Sequence, residues 1–160
     1  MKKLIDRWNS RKEDLKYLNK VSKAVNKLSK RDTALAQTTH DQVFEEMDCL
    51  QCANCCKSIP PMLSKRDTKR LAKHLSLTPN QFSEKYTTVD NDGDVVMNAS
   101  PCPFLKADNK CQVYEVRPAA CRLYPHSGEA LFIKNMSHHK RNMKYCPGLF
   151  EIMDRLAKLK

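Results

Sequence analysis

From residue 10 to residue 31, Leu15, Leu18, Val21, Val25 and Leu28 recur at steps of three and four, which puts them on one side of an α-helix. Lys12, Lys16, Lys20, Lys23, Lys27 and Lys30 keep the same rhythm on the other side, within a sector of about 80° at 100° per residue. Arg31 to Gln42 is polar and predicts a linker, after which Val43, Phe44 and Met47 return to apolar character. Ile59-Pro60-Pro61 interrupts regular structure, because proline fixes φ and restricts the residue before it. Ser64 is then placed to cap a helix carrying Leu71, Leu75 and Leu77. Thr78-Pro79-Asn80-Gln81 predicts a second start, with Thr78 as cap, Pro79 at the first helical position and Gln81 closing a capping box. That helix would bury Phe82 and Tyr86, while His74 on the one before it reads as a surface residue.

Thr87–Val89 and Val95–Met97 flank Asn91-Asp92-Gly93-Asp94 and predict a short hairpin. Those aspartates lack the twelve-residue frame and closing Glu of a calcium loop. Further on, Arg117-Pro118-Ala119-Ala120-Cys121-Arg122 opens a helix with Pro118 at its first position, ended by Tyr124-Pro125. Ala130-Leu131-Phe132-Ile133 predicts a strand, and Leu149 to Leu159 a terminal amphipathic helix. The expected fold class is α+β, mostly helical, with one short hairpin. Its expected organisation is a basic helix and linker over 1–42 and a second domain over 43–160.

Charge changes the picture at one end only. The net charge is +11, of which residues 1–31 contribute +8, eleven Lys and Arg against Asp6, Glu13 and Asp14. The lysine row reads either as the solvated face of a docked helix or as a surface for phosphate backbones, nucleic acid or an acidic protein. A membrane-surface helix has only Trp8 to anchor it. No run approaches the roughly 18 apolar residues of a membrane span, and the first residues lack the apolar core of a signal peptide. The expected compartment is therefore the cytoplasm, where clustered cysteines mean metal or redox chemistry more often than disulfides.

Eight cysteines bring in the chemistry. Four stand in Cys49-Leu50-Gln51-Cys52-Ala53-Asn54-Cys55-Cys56, and Cys102, Cys111, Cys121 and Cys146 follow. A metal needs several ligands converging on one point, and neighbours in sequence bring them there at low entropic cost. Cys49, Cys52 and Cys55 at two-residue gaps match the opening of the bacterial four-iron ferredoxin run more closely than the separated pairs of zinc sites. That run ends in Cys-Pro, and Cys102-Pro103 and Cys146-Pro147 both supply one. Cys56 should diverge from its neighbour and enter a second centre with some of the later thiols. Eight thiols would fill two four-coordinate centres, iron–sulfur or zinc, with the partition left open.

Cys-x2-Cys-x2-Cys-Cys, Pro101-Cys102-Pro103-Phe104-Leu105, Cys111-x-Val113-Tyr114, Arg117-Pro118-x-x-Cys121-Arg122 and the late Cys146-Pro147 together resemble the YkgJ-type cysteine-cluster family. That family is described as zinc- or iron-chelating, and the resemblance covers roughly Cys49 to Pro147. It implies that all eight cysteines are metal-site positions, with Arg117, Arg122 and Tyr124 as motif residues. The expected function is metal binding with a structural or redox role. Alternatives are a metal-dependent enzyme with one open site and a zinc-stabilised interaction module using the lysine row. A related cysteine-cluster region in the flagellin lysine N-methylases implies methyl transfer for the enzyme alternative. Three glycines, and no Gly-rich loop following a strand, argue against an ordinary nucleotide-binding fold. In the enzyme alternative Arg117, Arg122, Tyr124 or His126 would stand by the open site, whereas the favoured reading makes Arg117, Arg122 and His126 donors to thiolate sulfur.

Overall fold

The computed structural model of the chain describes residues 1–28, 33–128 and 132–159. In chain order its helices are α1 (Lys2–Arg11), α2 (Leu15–Val25), α3 (Thr33–Glu46), α4 (Cys49–Cys52), α5 (Asn54–Ser58), α6 (Lys65–His74), α7 (Pro79–Tyr86), α8 (Ala119–Leu123), α9 (Met136–Asn142) and α10 (Pro147–Lys158). Strands β1 (Thr87–Val89) and β2 (Val95–Met97) form the hairpin, and 3-10 turns span Tyr114–Val116 and Phe132–Asn135. The chain is mostly helical with a two-stranded antiparallel sheet, as the α+β expectation requires. It divides into two compact units, Met1–Cys49 with Pro125–Lys160, and Leu50–Tyr124. No described helix is long and apolar enough to cross a membrane.

In the first unit α10 buries Leu149, Phe150, Ile152, Met153 and Leu156, and packs on α1, α2 and α3. The expected helix over 10–31 is two helices, with its final residues outside the described set. The Asp14 carboxylate accepts the Tyr17 amide at 3.0 Å and caps α2, so an alternative backbone partner breaks the helix where the apolar rhythm runs on. Leu15 is in consequence 55% exposed, while Leu18, Val21 and Val25 are buried. Lys16, Lys20 and Lys23 are exposed along α2 and Lys27 just past its end, Lys12 lies 4.3 Å over the Trp8 ring, and Lys30 is outside the described residues.

The stretch expected as a linker is α3 from Thr33 onward, with Arg31 and Asp32 outside the described residues. Its polarity misleads because the Thr38 and Thr39 hydroxyls donate to the Ala34 and Leu35 carbonyls at 3.0 and 2.7 Å, inside their own helix. Ala36, Thr39 and Val43 are buried. Of the strand expected at 130–133, Ala130 and Leu131 lie outside the described residues, and the chain from Phe132 is a 3-10 turn.

The second unit has its own core of Leu63, Leu71, Ala72, Phe82, Met97, Phe104 and Val113. Both predicted capping residues hold: Ser64 and Asp67 form a capping box on α6, and Thr78 and Gln81 form one on α7. Thr87 pairs with Met97, Thr88 with Val96 and Val89 with Val95. The chain at Pro61–Leu63 lies along β2, through Leu63 N to Val95 O at 2.8 Å and Met97 N to Pro61 O at 3.1 Å.

Candidate metal centre

Six of the eight cysteines belong to the second unit, and backbone features assemble them. Ala53 adopts a left-handed conformation (φ 48°, ψ 17°) that ends α4 and redirects the chain into α5. An alanine there costs roughly 1–2 kcal/mol, which the surrounding contacts must offset. Cys55 and Cys56 fall in the first turn of α5. The Cys102 amide donates to the Cys56 carbonyl at 2.8 Å, splicing the later loop onto that helix.

Cys102 and Cys111 sit at the two arms of this loop. Its arms are joined by Gln112 N to Phe104 O at 2.9 Å and a bridge between Leu105 and Cys111. Phe104 and Val113 drop into the core, and Asn109 Nδ2 donates to the Gln51 carbonyl at 3.2 Å. Cys121 follows on α8.

The result is a closed set. Cys121 senses the charge of Cys56, Cys102 and Cys111, Cys102 senses Cys56 and Cys111, and Cys111 senses Cys56, so every pair among the four interacts. Cys52 also senses Cys56, and the Cys55 thiol is hydrogen-bonded to the Cys56 thiol. The bond to Cys55, followed by burial, pushes the Cys56 thiol up. Burial pushes up Cys102, Cys111 and Cys52 and takes Cys121 to about 12. Opposing that, the Asn54 amide donates to the Cys52 sulfur, the Phe104 and Leu105 amides to Cys102, and the Val113 amide to Cys111. The positive charge of Arg117 draws Cys111 and Cys121 down. Half-buried thiols, three of them holding backbone N–H donors, with a guanidinium nearby suit thiolate ligands, and soft sulfur suits zinc or iron. Among the described residues no three Cys, His, Asp or Glu side chains close on one point as a single ion would need.

The expected grouping put Cys49, Cys52 and Cys55 in one centre and Cys56 in another. The structure brings Cys56 near Cys102, Cys111 and Cys121, and brings Cys52 and Cys55 to Cys56 as well. It also turns the Cys55 and Cys56 thiols toward each other, since successive helical side chains lie only 100° apart. Cys49 is exposed and Cys146 buried in the first unit, where the Cys146 sulfur accepts the Leu149 amide at 3.3 Å and caps α10. No disulfide joins any of the eight. The Arg117 guanidinium lies 3.8 Å over the Tyr114 ring, and Arg122 Nη1 donates to the Arg117 carbonyl at 2.6 Å. Tyr124 is half-buried, and His126 belongs to the first unit.

Two residues that sequence reasoning missed support the loop. Asp67, almost wholly buried, accepts from Ser64 N (3.1 Å), Ser64 Oγ (2.6 Å), Arg70 Nη2 (2.5 Å) and Ala119 N (3.1 Å). Arg70 in turn donates to the Val116 and Arg117 carbonyls at 3.1 and 2.9 Å. The Ser64-x-x-Asp67 spacing was a visible signal for the first of these roles.

With the geometry in place, comparison with known proteins names the class. Residues 48–147 match the family CxxCxxCC, described as "Putative zinc- or iron-chelating domain", and the chain belongs to that family. It is 30% identical over 106 residues to the uncharacterized protein MJ0661 of Methanocaldococcus jannaschii, a match covering 64% of this chain and 57% of that protein. This chain thus spans little more than half the length of that relative. No solved structure matches.

Proposed function

We propose that the Leu50–Tyr124 unit holds a metal centre on Cys56, Cys102, Cys111 and Cys121, flanked by Cys52 and Cys55, and that this centre is an iron–sulfur cluster in preference to zinc. The observation that carries the reading is the complete mutual set of four thiols, supplied by three separate stretches of one compact unit. A zinc ion draws each sulfur to about 2.3 Å from one point. A cluster is held by cysteine thiolates as well, and the two-residue gaps of Cys49, Cys52 and Cys55, which match the opening of the bacterial four-iron run, support it over zinc. When bound, a cluster supplies one-electron chemistry, whose potential is set by hydrogen bonds to sulfur and by nearby charge. The Phe104, Leu105 and Val113 amides and Arg117 are the groups of this chain that would set it. The role is structural or redox.

Anaerobic purification with elemental analysis and visible absorption tests the proposal. The expected outcome is brown protein with iron and acid-labile sulfide in roughly equal amounts. Zinc without iron or sulfide would overturn the choice of cluster. Protein that takes up neither metal would overturn the centre itself.

A further inference from the structure

The thiol set draws its ligands from separate pieces of chain, and one of those pieces lacks the local support the others have. Cys102 and Cys111 are held by their own loop, through backbone bonds and by Phe104 and Val113 in the core. Cys121 sits on α8, a helix of five residues whose N-cap, Pro118, offers no side-chain hydrogen bond. A helix this short does not form on its own account, and its exposed first amides need acceptors.

Those needs are met from 52 residues away. Asp67 Oδ1 accepts the amide of Ala119, the first residue of α8, at 3.1 Å. The same carboxylate closes the capping box of α6, so one acid serves the N-termini of two helices. Arg70, one turn further along α6, donates to the Val116 carbonyl through Nε and the Arg117 carbonyl through Nη2, and is tied to Asp67 at 2.5 Å. Val116 to Ala119 is therefore gripped at three backbone groups by two side chains of one helix. Leu71 and Ala72, directly after them, lie in the core, so α6 is a fixed platform.

We infer that Asp67 and Arg70 are positioning residues for the metal centre: they fix α8 so that the Cys121 sulfur meets Cys56, Cys102 and Cys111. This rests on the thiol-centre reading above. It assigns to a carboxylate and a guanidinium, neither of which touches the thiols, control over whether the fourth ligand is in place. Outer partners of this kind commonly change metal affinity by about 10- to 100-fold.

The test uses the full chain, freed of metal and titrated anaerobically with Co(II), whose thiolate-to-metal absorption reports how many sulfurs bind. Asp67→Asn and Arg70→Gln are each expected to weaken Co(II) binding by about 10- to 100-fold and reduce the thiolate band to that of Cys121→Ser. Combining Asp67→Asn with Cys121→Ser should cost no more than Cys121→Ser alone, because the carboxylate acts through that ligand. Thr78→Ala, which uncaps α7 in the same unit, should lower the melting temperature and leave the band intact; this separates positioning from general loss of stability. If Asp67→Asn does not fold by circular dichroism, Arg70→Gln carries the comparison. Full affinity and an unchanged band in both variants, or costs that add to those of Cys121→Ser, would overturn the inference while leaving the centre standing. A wild-type chain that gives no thiolate band overturns both.

Discussion

Cys56 carries more thiol interactions than any other cysteine of its unit: Cys52, Cys102, Cys111 and Cys121 sense it, and Cys55 bonds to it. Cys56→Ser should therefore remove the bound metal, while Cys52→Ser, at the edge of the set, should retain most of it; metal content per chain decides. That the chain belongs to a zinc- or iron-chelating family was legible in the number and clustering of its cysteines. Which of the later thiols would join Cys56 stayed open, because Cys56 and Cys121 lie 65 residues apart and only the tertiary fold brings them together. Asp67 was equally hidden, since its second role reaches across 52 residues to a backbone amide. Single residues also set a pH window for the first unit. Burial and the neighbouring Asp154 carboxylate, which accepts its hydroxyl, raise Tyr17 from its ordinary value of 10 to about 12. Burial pushes Asp154 up, but Lys158, Tyr17 and Arg7 outweigh it and hold the carboxyl below the usual range. A raised tyrosine favours the folded state below about pH 10 and loses that contribution as pH climbs through about 12. A depressed carboxylate contributes above about pH 4 and loses it as pH falls. Chemical denaturation across pH should show both limbs, and Tyr17→Phe should remove the alkaline one.

At the scale of elements, helix starts with a local chemical signal were readable and those without one were not. Ser64 and Thr78 announce α6 and α7 because the capping oxygen and its reciprocal partner lie within four residues. The hairpin was readable for the same reason, its turn residues standing between two β-branched runs. The boundary between α1 and α2 was hidden by apolar spacing that continues through it, although Asp14 supplies the cap. Asp14→Ala should consequently loosen the start of α2, seen as faster amide exchange at Tyr17. Thr78→Ala should cost about 1 kcal/mol, the usual worth of an N-cap hydroxyl, measured by urea denaturation. In α3 the sequence signal pointed the wrong way, since threonines that read as linker satisfy themselves on their own helix and bury at Thr39. A lysine row, by contrast, forecasts exposure well: Lys16, Lys20, Lys23 and Lys27 all face solvent, as long charged side chains opposite an apolar stripe must.

For the molecule as a whole, the two units differ in what holds them together. The first unit relies on an apolar interface around α10, with Leu149, Phe150, Ile152, Met153 and Leu156 buried against three other helices. It adds ion pairs from Arg155 to Glu151 at 2.8 Å and Glu46 at 2.9 Å, and from Lys158 to Asp154 at 2.6 Å. The second unit has a smaller core, centred on α6, α7 and the hairpin, and beyond it the segments bearing Cys52 to Cys56 and Cys102 to Cys121 are short helices and loops. Phe104 and Val113 apart, such segments bury little apolar surface of their own, so ligation must supply what packing does not; structural zinc in small peptides contributes about 10–16 kcal/mol in this way. Metal removal should therefore act locally. Hydrogen exchange on the full chain, before and after anaerobic stripping with a chelator, should show amides of residues 50–58 and 102–123 losing protection by several orders of magnitude. Amides of α2 and α10 should hardly change, and α6 and α7 should fall between, since their core persists but its neighbours loosen. Uniform loss across both units would mean that the centre supports the whole chain. Unchanged exchange at 102–123 would mean that the loops fold without it, and the cysteines would then need another explanation.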